Sequence, residues 1–148
     1  MPVRSYACWN DGLPECEKGG RECCERYDVN AQIQMFDLHN LAPSIGQVNA
    51  IRSKKRYGVI LGDELKLGGC DFEWRRNVVE PPGELRGEVA RVWLYFTYRY
   101  GLLLLDGELD MYLKWSLEDP PDEWEIERNS RIKKVQGNGN PYIDDYYR

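Results

Sequence analysis

No stretch of this chain approaches the roughly 18 to 20 uninterrupted apolar residues that a membrane-spanning helix needs. The run Leu102–Leu105 is walled by Arg99 before it and Asp106 after it, so no membrane association is expected. The opening residues, MPVRSYACWNDG, show neither a basic segment followed by an apolar core nor a small-residue cleavage site, and no secretion signal is visible in them. Histidine occurs once. A lone imidazole beside Leu38 and Leu41 is more often a hydrogen-bonded wall residue than a base. Positive charge is not in excess, since 20 Lys and Arg stand against 25 Asp and Glu for a net charge of -5. That balance argues against a strongly basic, non-specific nucleic-acid coat. Internal repeats and disordered linkers are also missing.

What is present suffices for one folded domain spanning residues 1–148, since 42% hydrophobic and 12% aromatic content can bury a single sizeable core. The charges are polarised. Between Asp106 and Arg128 there are nine acids and two bases, whereas between Phe36 and Gly58 one acid faces Arg52, Lys54, Lys55 and Arg56. Of the five cysteines, Cys8, Cys16, Cys23 and Cys24 fall within the first 24 residues and Cys70 stands apart. The clustering suggests disulfides in a loop-rich segment. Unpaired thiols are the alternative, and a structural zinc site is a third reading, weakened by the lack of C-x2-C pairs. An odd count leaves one thiol without a partner inside the chain.

The front third, to about Ala31, is polar and Gly- and Cys-rich, which predicts irregular chain held by cross-links. From Gln32 to Leu38 polar and apolar residues alternate at first, predicting a short strand or a helix end. Ser44 followed by Gln47 is a capping-box pattern, so a helix should begin near Ile45 with Ile45, Val48 and Ile51 inward. In CDFEW, Cys70, Phe72 and Trp74 alternate with acids as in a half-buried strand. Leu85, Val89, Val92, Trp93, Phe96 and Tyr100 recur at helical spacing over Glu84–Tyr100, with Gly101 as stop. A further helix is expected from about Glu108 to Leu117. Another runs over Asp122–Gln136, with Trp124, Ile132 and Val135 inward and Gly137 as its end. The acids Asp119, Asp122 and Glu123 sit where a helix start favours them, so they are not read as a metal cluster.

One constellation invites chemistry. On the helix predicted after Ser44, Asn49, Arg52 and Arg56 are spaced i, i+3, i+7 and fall close to one side. An amide oxygen suits Mg2+ but cannot hold it without a carboxylate and waters. Arginine forks suit phosphate oxygens. The composition fits either a nucleic-acid backbone site or a solvated helix face.

The ordered segments CWNDG, GGREC-C, DLHNLAPSIGQVNAIRS, EPPGELRGEVAR, YRYG and DPPDEWEIERNSRIKKVQGNGNPYI resemble the bacterial endonuclease I family, secreted or periplasmic nucleases that cut DNA and RNA without sequence preference. The resemblance runs from Cys8 to Ile143. It implies an α+β fold of the ββα-metal, or His-Me finger, type: a small sheet with a helical C-terminal half. In that pattern a strand-borne histidine activates water and a helix-borne asparagine helps to hold one Mg2+. The asparagine matches Asn49, and the phosphate-binding arginine of the Gly-Gly-Arg segment matches Arg21. Asp37 and His39, in DLHNL, match neighbours of the site. Arg52, Lys54, Lys55 and Arg56 are expected along the nucleic-acid backbone. The resemblance implies DNA and RNA as partners, a monomer, a periplasmic or secreted location, and products bearing 5′-phosphate and 3′-hydroxyl ends.

The family's adjacent glutamate and histidine, its second metal ligand and its base, precede the CW segment and have no counterpart in these residues. Impaired cleavage is therefore expected of this chain, or alternatively a non-catalytic nucleic-acid-binding or structural module on the same scaffold. A third reading makes His39 the base of a compressed HNH-like core with Asn49. Cys8 and Cys24 match family cysteines, which implies a Cys8–Cys24 bridge holding Arg21 in a tight loop. Cys16 and Cys23 look like additions, and the family's later cysteines are missing, with Ile126 standing where one would fall.

Overall fold

The computed structural model describes residues 7–10, 12–62, 67 and 69–147. They form two compact units, one up to Ala42 and the other from Pro43 onward. Through the described residues runs a helix-rich α+β architecture with one small three-stranded sheet.

The first unit holds α1 (Ala7–Asn10), α2 (Arg21–Tyr27) and α3 (Val29–Met35), followed by a 3-10 turn at Leu38–Asn40. Two disulfides, Cys8–Cys24 and Cys16–Cys23, tie α2 to the chain before it. The Cys8–Cys24 pairing agrees with the expectation. With all four sulfurs bonded, the thiol and zinc readings of these cysteines are overturned, and Cys16 and Cys23 supply a second bridge. Cys8, Cys23, Cys24 and Ala31 make the core, with Trp9, Leu13, Cys16 and Met35 packed against it. Sulfur thus supplies most of the buried apolar centre of this unit.

Much of the segment expected to be irregular is helical, and the possible strand over Gln32–Leu38 is the end of α3. Asp28 explains the helix. Its carboxylate accepts the Ala31 N–H at 3.0 Å and caps the helix start. That local hydrogen bond outweighs a short polar–apolar alternation.

In the second unit α4 (Gly46–Arg52) leads into β1 (Arg56–Tyr57). The capping box does not form. Ile45 occupies the cap position with no side-chain hydrogen bond, and the Ser44 hydroxyl instead lies 3.4 Å from the Ile45 carbonyl oxygen. Ile45 is exposed, and Val48 and Ile51 are only half-buried. β2 (Glu73–Arg75) and β3 (Val78–Glu80) form an antiparallel hairpin, and β1 joins β3 in parallel to give the order β1-β3-β2. The strand in CDFEW is shorter than its alternation predicted, and Glu73 is buried while Cys70 is exposed. Across from Glu73 sits buried Glu80, whose carboxylate binds Arg86 at 2.6 Å and the Ile60 N–H at 2.5 Å. Polar groups, not alternating apolar ones, therefore occupy this edge.

A 3-10 turn at Gly83–Leu85 opens α5 (Arg86–Tyr100), which packs against α6 (Glu108–Glu118). Gly101 ends α5 in the left-handed conformation, as its spacing predicted. The helix α7 (Glu123–Gln136) starts on Asp122, which accepts the Glu125 N–H at 2.7 Å, and ends on left-handed Gly137. A short α8 (Pro141–Asp144) follows. Ala90, Leu94, Tyr112 and Trp115 form the core between α5 and α6, with Tyr57, Trp93 and Tyr142 among the residues packed onto it.

The inward face of α7 differs from expectation, because Trp124 and Val135 are exposed while Glu125, Asn129 and Ile132 are buried. Arg91 is the reason. Its guanidinium is 1% exposed and grips both oxygens of Glu125, at 2.7 and 2.5 Å, and the carbonyl of Asp119 at 2.6 Å. The Asn140 amide donates to the Arg91 carbonyl, and the Asn129 amide oxygen accepts the Asn140 N–H. A Cβ on Gly87 would stand 1.9 Å from the Asp119 carbonyl oxygen, so only glycine permits this helix approach. The segments RGEVAR and NGNP are thus one buried polar lock.

Candidate nucleic-acid and metal site

In the first unit the Gly-Gly-Arg segment is shaped by backbone contact. Gly20 N–H donates to the Cys8 and Trp9 carbonyls at 3.1 and 3.0 Å. Gly19, at φ +59, lies so close that a Cβ there would be 2.8 Å from the Trp9 carbonyl oxygen. Arg21 follows as the first residue of α2, in the loop that the Cys8–Cys24 bridge closes. Its side chain is exposed and pairs with Glu25 at 2.5 Å. Surface pairs of this kind are worth at most about 1 kcal/mol, so an approaching phosphate can compete for the guanidinium.

Asp37 and His39 are buried in the same unit, 3% and 2% exposed, and the Asp37 carboxylate accepts the His39 N–H at 2.8 Å. They build the wall of a turn. An imidazole so enclosed presents little surface to bulk water, which disfavours the arrangement with His39 as the water-activating base.

In the second unit Asn49 lies on the exposed side of α4, and among the described residues its side-chain amide has no partner. Arg52, one turn later, is half-buried, with its guanidinium 5.1 Å from the centre of the Tyr57 ring. Its Nε is buried without a hydrogen bond. The expected alignment of Asn49, Arg52 and Arg56 on one helix does not occur. α4 stops at Arg52 because Ser53 takes a positive φ of 44°, and Lys55 Nζ caps the Ile51 carbonyl at 2.5 Å. Arg56 belongs to β1, where one nitrogen reaches both oxygens of Glu108 at 2.7 Å. Lys54 stays exposed.

Sequence reasoning missed Tyr57 and Glu108, which set the two arginines. The Glu108 position at a helix start concealed its pairing, because that place already favours an acid. Tyr57 also meets Trp93 edge to face, and Trp93 stacks on Tyr112 at 5.7 Å. The Tyr112 hydroxyl is buried without a partner, and burial first, then the Glu108 carboxylate, pushes its pKa well above that of free tyrosine.

Mg2+ takes hard oxygen donors at near-octahedral geometry and keeps several waters. Asn49 supplies one hard, accessible oxygen, which suits an ion that keeps most of its waters. No group of three or more His, Cys, Asp or Glu placed to hold a metal occurs among the described residues. Asn49 therefore fits as one ligand of a site that needs a carboxylate from elsewhere.

Residues 24–146 match the Endonuclease I family. An extracellular deoxyribonuclease of Aeromonas hydrophila is 39% identical over 140 residues, covering 93% of this chain and 57% of the relative. A periplasmic deoxyribonuclease of the same organism is 36% identical over 140 residues, with 93% and 56% covered. An extracellular ribonuclease of Bacillus amyloliquefaciens is 33% identical over 126 residues, covering 73% and 43%. The chain spans little more than half the length of the two deoxyribonucleases. With Gly19-Gly20-Arg21 shaped by backbone contact and Asn49 exposed on its own helix, the match over most of the sequence leads to one conclusion: this chain belongs to the endonuclease I family.

Proposed function

We propose that these residues carry the phosphate-facing part of a non-specific nuclease site of the ββα-metal type, acting on DNA and RNA backbones. In the second unit Asn49 is one oxygen ligand of a single Mg2+, and in the first Arg21 binds a phosphate of the backbone. The observation that carries the reading is the exposed, unengaged Asn49 amide inside a segment matched by the family. A bound Mg2+ supplies stabilisation of charge on the phosphate and on the departing 3′ oxygen. The guanidinium of Arg21 neutralises charge on the phosphate oxygens that it contacts. Lys54 and the exposed parts of Arg52, Lys55 and Arg56 hold the flanking backbone by phosphate contact. A periplasmic or secreted location suits the two disulfides, which persist in oxidising compartments.

Cleavage by the 148 residues alone is expected to be weak. The unit with Asn49 contains no histidine, and a general base typically contributes about 10^2 to 10^4 in rate. The test is plasmid nicking with Mg2+, run beside a duplex-binding titration. Expected are salt-sensitive binding, weakened by Arg21→Ala, and nicking at least about 10^2 below an ordinary nuclease. Vigorous nicking abolished by Asn49→Ala would overturn the impairment, and absence of binding at low salt would overturn the nucleic-acid reading.

A second reading is a binding module without chemistry on the same scaffold. Here Asn49→Ala leaves binding unchanged with and without Mg2+. Mg2+-strengthened binding that depends on Asn49 would count against it.

A further inference from the structure

The turn between β2 and β3 presents Arg75 and Arg76 next to each other, both exposed and without an ion-pair partner among the described residues. Nothing in the linear sequence joins this turn to the basic stretch 52–56. The sheet does. Val78 is the register partner of Arg56 on one side and of Arg75 on the other. With neighbouring strands about 4.8 Å apart, that single rung sets Arg56 and Arg75 about 10 Å from each other. β1 starts, β3 starts and β2 ends at the same end of the sheet, and the Arg56 N–H donates to the Asn77 carbonyl at 2.8 Å. Lys54 and Lys55, before β1, and Arg76 and Asn77, after β2, therefore emerge side by side.

The backbone adds an independent observation. Arg76 has φ +39°, in the left-handed region. It occupies the first position of a two-residue hairpin turn, where glycine is favoured when φ is positive. An arginine here bears a conformational cost that glycine would avoid. Such a cost suggests that the side chain has a task which the turn itself does not require. Among the described residues the surroundings leave three charges available. Arg56 is engaged by Glu108 and Lys55 by the Ile51 carbonyl, whereas Lys54 is exposed, and the exposed Arg75 and Arg76 line an open depression together with Trp74 and Asn77.

We propose that Lys54, Arg75 and Arg76 form a phosphodiester-binding ridge at one end of the sheet, extending the nucleic-acid surface beyond α4. Guanidinium forks fit phosphate oxygens pairwise. Three cations aimed at solvent grip the sugar-phosphate backbone without reading bases, as a non-specific binder needs. The ridge rests on the reading of this chain as a nucleic-acid binder.

The test is the salt dependence of binding to a fluorescein-labelled mixed-sequence DNA duplex, with EDTA present to suppress metal-dependent contacts and cutting. Each phosphate contact contributes about 0.9 to the slope of log affinity against log salt. The Arg75→Ala, Arg76→Gly double variant should therefore bind with a slope shallower by about 1.8, so that from 50 to 200 mM salt the unaltered chain loses about 12-fold more affinity than the variant. Arg76→Gly alone should lower the slope by about 0.9 and melt no lower than the unaltered chain, since glycine suits the turn. A control with the same change in charge, Lys114→Ala with Lys134→Ala on helices α6 and α7, should keep the original slope. An unchanged slope in the double variant, or an equal reduction in the control, overturns the ridge and leaves the proposed function standing. Failure of the unaltered chain to bind at low salt overturns both.

Discussion

Removing the Glu125 carboxylate should cost this chain a large part of its stability. In Glu125→Ala, Arg91 keeps its Nη1 contacts to the Asp119 carbonyl at 2.6 Å and the Ser116 carbonyl at 3.3 Å, but Nε and Nη2 lose both partners. The guanidinium is 1% exposed and cannot turn to water. Breaking a buried pair from one side costs about 3 to 5 kcal/mol. A domain of this size holds about 5 to 15 kcal/mol in total, so the loss should be visible at once. Replacing both members, Arg91→Met with Glu125→Leu, removes the charge together with its partner and should recover most of the loss, because desolvation offsets much of what a buried pair contributes. The double variant still leaves the Asp119 carbonyl without that donor, which limits recovery by about 1 kcal/mol or more. Urea unfolding followed by tryptophan fluorescence measures all three proteins. A Glu125→Ala loss below about 1 kcal/mol, the range of an exposed pair, would refute the burial of this pair and with it the anchoring of α7 by Arg91.

Reduction of Cys8–Cys24, which closes a span of 16 residues, should lower the stability of the first unit by about 3 kcal/mol and weaken the Arg21 contribution to DNA binding; a melt indifferent to reductant would contradict this. Maleimide labelling under native, non-reducing conditions should mark Cys70, the exposed free cysteine, and leave the bridged cysteines unmodified in peptide maps. Tyr112→Phe deletes a buried hydroxyl with no partner and should be neutral or stabilising by up to about 1 kcal/mol in urea; a clear loss would reveal a hydrogen bond at that oxygen. The pKa of Glu88 is raised, chiefly by burial and then by the Glu125 carboxylate. A raised folded-state pKa means the folded state holds the proton more tightly, so Glu88 favours folding at low pH and that contribution is lost as pH rises above the ordinary glutamate value. Glu88→Gln should accordingly raise the melting temperature more at pH 7 than at pH 4, and a larger gain at pH 4 would reverse the assignment.

How far the sequence could be read depended on the range of the interactions involved. Asp122, Gly101 and Gly137 act on their own helix ends, so their positions marked the boundaries of α5 and α7 in advance. Ser44 and Gln47 carried the same kind of local signal and failed, since the chain enters α4 through Ile45 without side-chain capping. The burial of Glu73, Glu80, Arg91 and Glu125 ran against every apolar pattern. The partners of Glu80, Arg91 and Glu125 lie from 6 to 34 residues away, and no periodicity encodes those. Asn49 and Arg21 could be proposed from segment resemblance alone. The engagement of Arg56 by Glu108, 52 residues later, could not.

The sequence by itself determined the helical second half, the cysteine-clustered front and the family to which the chain belongs, because capping residues, spacing and ordered motifs act over a few neighbours. Only the tertiary structure decided which cations remain open to solvent, since that depends on which acids and carbonyls the fold brings against them. It also placed Arg75 one rung from Arg56, a proximity created by β3 pairing with both of its neighbours and by nothing within either segment.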